Sequence, residues 1–331
     1  MIHNLTQNLT QQKRKFNTLI IAFCGVLAFA IFILEAPEIS DRMRSGLRLC
    51  SNVIIPSLFP FMVLSELLIF TRIDRLFERL AGGIFSKIFK LPKCAISAFI
   101  LGVLCGFPVG TKIAYSFYEK GKISIDDLNH LLVFCNIQSS AFIINTVGIS
   151  MLSNKSAGVL LYISQILSLI IAGVIYPKFF PKNVSKNTEK LLSNDHKNDG
   201  IATFFTSSVK SSVLGILTVC GFVLFFYVLC GIVTNFATRL GLSKVFSLSV
   251  CSLLEMSCAC VEISNSLQVN TAFVAISSVF GFGGISLHFQ IMSLCKDAKI
   301  KYGRFFLFKI FNAITSGIFA ILLNLIFNIF A

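Results

Sequence analysis

The stretch CAISAFILGVLCGFPVGTKIAYSFY, residues 94–118, is apolar and long enough to cross a bilayer, yet helix-disturbing residues sit at its centre. About 20 apolar residues in a helix span ~30 Å of hydrocarbon. Here Gly102, Gly106, Pro108 and Gly110 fall near the middle, where proline removes a backbone donor and glycine relaxes the helix. The segment therefore reads as a re-entrant hairpin with its tip at GFPVG (106–110), not as a crossing.

Composition agrees with a lipid environment. Of 331 residues, 55% are hydrophobic and 13% charged, with a mean hydropathy of +0.81. Soluble domains carry roughly 25% charged residues, so this chain cannot cover a water-facing surface and a soluble enzyme is excluded. The net charge of +14 would suggest nucleic acid in a soluble protein. Its basic residues instead lie in short segments between apolar runs, as in cytoplasmic loops facing anionic lipid, so membrane lipids are expected as partners and nucleic acid is not. Among 11 Cys, Cys258 and Cys260 form C-x-C, but neither C-x-x-C nor a Cys/His cluster occurs. No structural zinc, other metal or disulfide framework is expected. With 35 Phe and no Trp, the interfacial anchors must be Tyr, Lys and Arg.

The other apolar segments cover about 17–34, 50–70, 129–152, 156–177, 209–234, 247–265, 271–294 and 305–330. The first follows the basic QQKRK and competes with a cleaved signal peptide, but lacks a small-x-small site. Three segments are basic: TRIDRLFERLAGGIFSKIFKLPK (71–93), whose spacing suggests an amphipathic interfacial helix ahead of Pro92, the polar linker 178–200, and CKDAKIKYGR (295–304). The positive-inside rule places all three, and the N-terminus, in the cytoplasm. Two cytoplasmic loops must be joined by an even number of crossings. Three apolar segments lie between each consecutive pair, so one of each three turns back: 94–118 in the first set and 247–265, the shortest, in the second.

The expected fold is thus an all-α polytopic membrane protein with about seven transmembrane helices plus two re-entrant hairpins in two inverted repeats. Residues 1–49 would hold the N-terminal tail, first helix and an external loop. Residues 50–177 would form the first repeat, 178–208 a cytoplasmic linker, and 209–331 the second, inverted repeat. Sequence echoes pair 100–114 with SVCSLLEMSCACVEI (249–263), setting Gly106 opposite Glu255, and LLVFCNIQSSAF (131–142) with SSVFGFGGISLH (277–288). Inverted repeats with helices interrupted near the midplane are the architecture of secondary transporters.

A hairpin tip in the membrane offers helix N-termini that attract anions. Gly106, Pro108 and Gly110, with the hydroxyl of Thr111 and the cation of Lys112, would bind an anionic substrate; the alternative is that Lys112 snorkels and the glycines only permit close packing. Polar groups in hydrocarbon must be paired or face a wet cavity. Asn136, Gln138, Ser139 and Ser140 in one span, and Ser286, His288 and Gln290 in its counterpart, join the candidate substrate site on that ground, against the alternative of helix-to-helix bonding alone. Glu66 and Glu255 are carboxyls within apolar runs, candidates for ion coupling or, equally, for pairing with Lys112 or capping a broken helix. Glu262 and His130 sit near span ends and are expected in solvent. No G-x-S-x-G, H-E-x-x-H or Walker loop occurs, so neither catalysis nor a cofactor is expected.

NVIIPSLFPFMVLSELL (52–68), GFPVGTKIA (106–114), CNIQSSAFI (135–143), LLEMSCA (253–259) and FGGISLHFQIMSL (282–294) together resemble the YlbJ-type sporulation integral membrane proteins, within the wider nucleoside-recognition or gate-domain membrane proteins. The resemblance spans about 45–315 and implies transport of dipicolinic acid across the outer forespore membrane. It differs in a second hairpin reading SCACVE where relatives are more glycine-rich. A small-anion transporter is the expected function, against a non-transporting scaffold or maturation factor in spore assembly or a nucleoside carrier. A homo-oligomer is compatible with either.

Overall fold

The computed structural model describes residues 29–71, 73–181 and 201–330, together with 18–19, 22–23 and 25–26. All regular elements among them are helical. Helix α1 (Ala36–Leu49) passes through a π-helical turn (Cys50–Ile54) into α2 (Ile55–Phe70), making 36–69 one unbroken helix. The external loop expected before residue 50 is therefore helical. Pro37 suits the first helical turn, where its missing N–H needs no partner. Arg42 and Glu35 find partners in Glu262 and Arg239 instead of solvent, at 3.1 and 2.5 Å.

Helix α3 (Ile73–Phe89) occupies the stretch read as amphipathic and bends by 104° into the run 93–105. There follow α4 (Ile96–Cys105), α5 (Val109–Glu119), α6 (Ile125–Phe134), the π-helical α7 (Phe142–Met151) and α8 (Lys155–Phe179). After the linker come α9 (Ile201–Arg239), α10 (Lys244–Leu254), α11 (Met256–Ser266), α12 (Val269–Phe282), α13 (Gly284–Leu294) and α14 (Tyr302–Phe327). Helix α9 thus begins within the stretch 178–208 expected as linker. The early hydroxyls of α9 do not oppose the helix, because Thr206 and Ser207 donate to the carbonyls of Ala202 and Phe204 one turn back.

Among the described residues, five helices are long and apolar enough to cross a membrane, or six if the bent 73–105 pair is one span. Seven were expected. The first, 17–34, lies partly outside the described residues, though it is helical wherever described. The other, 129–152, is broken between α6 and α7, and each piece is too short to cross alone.

The distribution of side chains is that of a protein in lipid: large apolar residues such as Leu214, Leu217, Ile314, Ile318 and Leu325 point outward, while polar ones are buried. In the α8–α12–α14 seam, Ser164 meets the Ser277 hydroxyl at 2.9 Å, and Gln165 donates to the Ser277 carbonyl at 2.9 Å and to Ser316. Ser168 and Thr315 hydroxyls pair at 2.6 Å. Such bonds hold helices where lipid gives apolar contact no advantage. Replacing Gln165 by Leu is expected to cost about 1–2 kcal/mol, since it removes the amide's bonds to Ser277 and Ser316 from the seam; thermal unfolding in detergent reads this out, and an unchanged midpoint would show that the seam holds by packing alone.

Candidate functional site

Four apolar segments are interrupted near their middles, and each interruption has a chemical cause. The first is the sequence-predicted one at Gly106–Phe107–Pro108. Gly106 takes φ +82 and ψ 180, a conformation costly to any residue with a Cβ. Gly102 and Gly110, flanking the tip, approach so closely that a Cβ on either would meet the other's Cα at 3.1–3.2 Å. Helices α4 and α5 therefore fold back along each other.

The second break, residues 135–139, separates α6 from α7. Asn136 donates to the Leu132 carbonyl at 2.8 Å, closing the end of α6, and Ser139 accepts from the Phe142 amide at 3.2 Å, opening the next helix. The third is Glu255, extended at φ −145, ψ 122, whose carboxylate accepts from the Cys258 amide at 2.6 Å as the cap of α11. The fourth is Gly283 in the left-handed region at φ +83. There His288 donates through Nε2 to the Phe282 carbonyl at 3.1 Å, and its Nδ1 faces the Tyr302 hydroxyl at 3.1 Å. Four of the eleven predicted polar residues, Asn136, Ser139, Glu255 and His288, thus serve the backbone that the breaks expose.

All four breaks meet around one cavity. Phe107 reaches it from the first, Gln138 and Ser139 from the second, Glu255, Met256 and Ser257 from the third, and Gly283 from the fourth, with Gln290 following on α13. Ser57 and Leu58 of α2 and Val219 and Val223 of α9 also line it. The cavity has a volume of about 60 Å³.

Gln138 and Gln290 are each at least nine-tenths buried, and each leaves its amide oxygen without a hydrogen-bond partner. Gln290 is held by donating through Nε2 to Ser286 at 3.1 Å. One glutamine comes from each half of the chain. The lining contains Glu255 and no Lys or Arg among the described residues.

The remaining sequence candidates stand behind or beside this cavity. Thr111 donates to Asn136, fixing α5 against the second break, and the Phe107 amide donates to the Ile137 carbonyl at 2.6 Å. The tip amide expected to hold an anion is therefore bonded within the protein. Lys112 does not line the cavity; its ammonium lies 3.3 Å from Glu66 and 3.3 Å from the Ser211 hydroxyl, which itself donates to Glu66 at 2.7 Å. Ser140 is half-buried at the start of the α7 region.

Two expectations of solvation are corrected. His130 is fully buried, stacked on Tyr176 at 4.7 Å, with Nε2 2.7 Å from the Gly173 carbonyl, because α6 packs that face on α8. Glu262 is paired with Arg42 at 3.1 Å, because residues 36–49 are a helix rather than a loop. The cavity residues Ser57, Phe107 and Ser257 carried no sequence signal beyond their closeness to the breaks. Lys309, within the apolar run 305–330, is fully buried with its ammonium 5.8 Å from the Phe305 ring.

The Lys112–Glu66 pair is three-quarters buried, and a double-mutant cycle with Lys112→Met and Glu66→Gln is expected to give a coupling of about 0.5–1 kcal/mol in thermal stability. Additive losses would show that the two charges do not interact.

No family model and no solved structure matches the chain. It is similar to the sporulation integral membrane protein YlbJ of Bacillus subtilis (strain 168), 24% identical over 341 residues, which covers 93% of this chain and 83% of the relative. Together with the all-helical, lipid-adapted fold, this similarity supports assigning the chain to the YlbJ-type sporulation integral membrane proteins.

Proposed function

We propose that the chain is a secondary transporter of a small organic acid, dipicolinate foremost, acting in the outer forespore membrane with its N-terminus in the cytoplasm. The carrying observation is that four helix breaks, two from each half, converge on one cavity whose wall includes a glutamine from each half, each with an unpartnered amide oxygen. Pairing 100–114 with 249–263 and 131–142 with 277–288 sets Gly106 on Glu255 and Ile137 on Gly283, so the breaks of one half coincide with those of the other. That correspondence supports two inverted repeats with re-entrant segments, the arrangement in which transporters place substrate at the repeat interface.

The electrostatics qualify how an acid is carried. Two carboxylates ~4 Å apart repel by about 4 kcal/mol at an effective dielectric constant of ~20. With Glu255 in the wall and Lys112 engaged elsewhere, an organic anion enters together with a proton or another cation. The same lining favours a second reading, a nucleoside carrier, because two unpartnered amide oxygens suit the N–H and O–H donors of an uncharged ligand.

Uptake of labelled dipicolinate into proteoliposomes separates the readings. Saturable uptake above empty liposomes, enhanced by an inward proton gradient, is expected. No uptake under any ion gradient rejects the transporter of dipicolinate, and uptake of uridine in its place selects the nucleoside reading; failure with both solutes favours a scaffold.

A further inference from the structure

Three thiols from three helices meet beside the second half of the bundle: Cys230 on α9, Cys251 on α10 and Cys258 on α11. Their sulfurs all lie within 4.8 Å of one another, and all three side chains are fully buried. A single buried cysteine is an ordinary small apolar residue. Three that converge from separate helices form a ligand set, and two further observations point to an ion.

The first is a route. Cys251 borders a surface pocket whose other polar walls are Thr234, Thr238, Lys244, Ser247 and Glu262, so that hydroxyl and carboxylate oxygens, with one ammonium, stand between the outside and the sulfurs. The second is charge balance. Arg42 lies against Gly231, next in sequence to Cys230, with its guanidinium bonded to Glu262 at 3.1 Å. A cation is thus already placed beside the spot where thiolates would concentrate negative charge.

We propose that Cys230, Cys251 and Cys258 bind one thiophilic metal ion of the Cu(I) or Zn(II) class. Thiolate ligands select such soft ions over Mg(II), Ca(II) and Mn(II). Sulfurs ~2.3 Å from a shared ion stand about 3.8–4.0 Å apart, so the present spacing closes with shifts below ~1 Å. Each ligand gives up its thiol proton on binding; three protons leave through the oxygen-lined pocket as three metal–sulfur bonds form, with no change of oxidation state. Cu(I) is satisfied by three sulfurs, whereas Zn(II) takes a fourth ligand, for which the pocket admits water. This site is separate from the transport cavity and does not depend on the transport reading.

The test uses the full chain purified in detergent, reduced and metal-free. Cd(II) is titrated while sulfur-to-metal charge-transfer absorbance is followed, and Cu(I) and Zn(II) are titrated in separate arms against chelators of known affinity. One equivalent is expected to saturate the band and to protect the peptides carrying residues 230, 251 and 258 from alkylation, with Cys260 and Cys105 as internal references. Cys258→Ser is expected to weaken binding by about a hundredfold or more, and Cys260→Ser to leave it unchanged. Cys251→Ser serves if Cys258→Ser fails to fold, and protection in the unaltered protein needs no variant. The arm with the tighter binding identifies the metal class. Absence of a stoichiometric band, protection spread evenly over all thiols, or a disulfide within the trio in protein isolated without reductant would overturn the proposal.

Discussion

Gly106→Ala is expected to lose most of its folded, monodisperse yield, whereas Gly83→Ala retains it. At φ +82 and ψ 180, alanine at 106 is strained, and its Cβ would lie 2.6 Å from the backbone N and Cα of Ser139. Backbone cannot rotate aside as a side chain does. Strain of ~1–3 kcal/mol and overpacking of ~1–3 kcal/mol together amount to about 2–6 kcal/mol, a large part of a typical stability of ~5–15 kcal/mol. Gly83 has nothing near its would-be Cβ, so alanine there adds helix propensity only. Equal thermal stability of the two variants would mean that the first break is not clasped to the second as described.

Glu255→Gln is expected to abolish the dependence of uptake on a proton gradient and to lower uptake at least about tenfold, with the fold intact. The glutamine amide oxygen keeps the acceptor that caps α11 through the Cys258 amide, so a purely structural role for Glu255 predicts near-normal transport. What glutamine removes is the exchangeable proton and charge in the cavity wall. Glu255→Ala removes the cap as well and is expected to be less stable than Glu255→Gln by about 1 kcal/mol. Unaltered gradient dependence in the glutamine variant would assign Glu255 to capping alone.

The parts of this fold visible in the sequence are those written in backbone chemistry. Proline and glycine at 102–110 announce the first break, since few other residues disturb a helix so strongly. The pairing of Gly106 with Glu255 set one break upon another even though the second contains no glycine, because a buried carboxylate capping a helix start does the same work. The break at 135–139 was read as a polar patch within a span: Asn136 and Ser139 are polar enough to serve either a ligand or the backbone, and only coordinates show which groups they meet.

The same ambiguity explains Lys112. Charge beside a break suggested an anion site, but a four-carbon side chain ending in an ammonium reaches far from its Cα, and here it reaches Glu66 and Ser211 on neighbouring helices. Contacts between residues distant in sequence, such as Arg42 with Glu262 or the three converging thiols, leave no trace in local spacing. Reading 36–49 as a loop followed from its charges, since Arg42 reads as solvent-bound until its partner Glu262 is known.

The transport proposal rests on occupancy by substrate of the cavity where the four breaks meet. Its most direct measurement is the alkylation rate of Ser57→Cys, a near-isosteric change at a half-buried wall position whose own hydroxyl bonds only to the Ile54 carbonyl at 3.2 Å. Labelling is counted at residue 57 by peptide mass spectrometry, with dipicolinate added to proteoliposomes at increasing concentration. The account predicts that dipicolinate slows labelling in a saturable manner at low pH, and less so in the Gln138→Ala/Gln290→Ala background. A rate indifferent to dipicolinate in a variant that still transports it would contradict the cavity as its path.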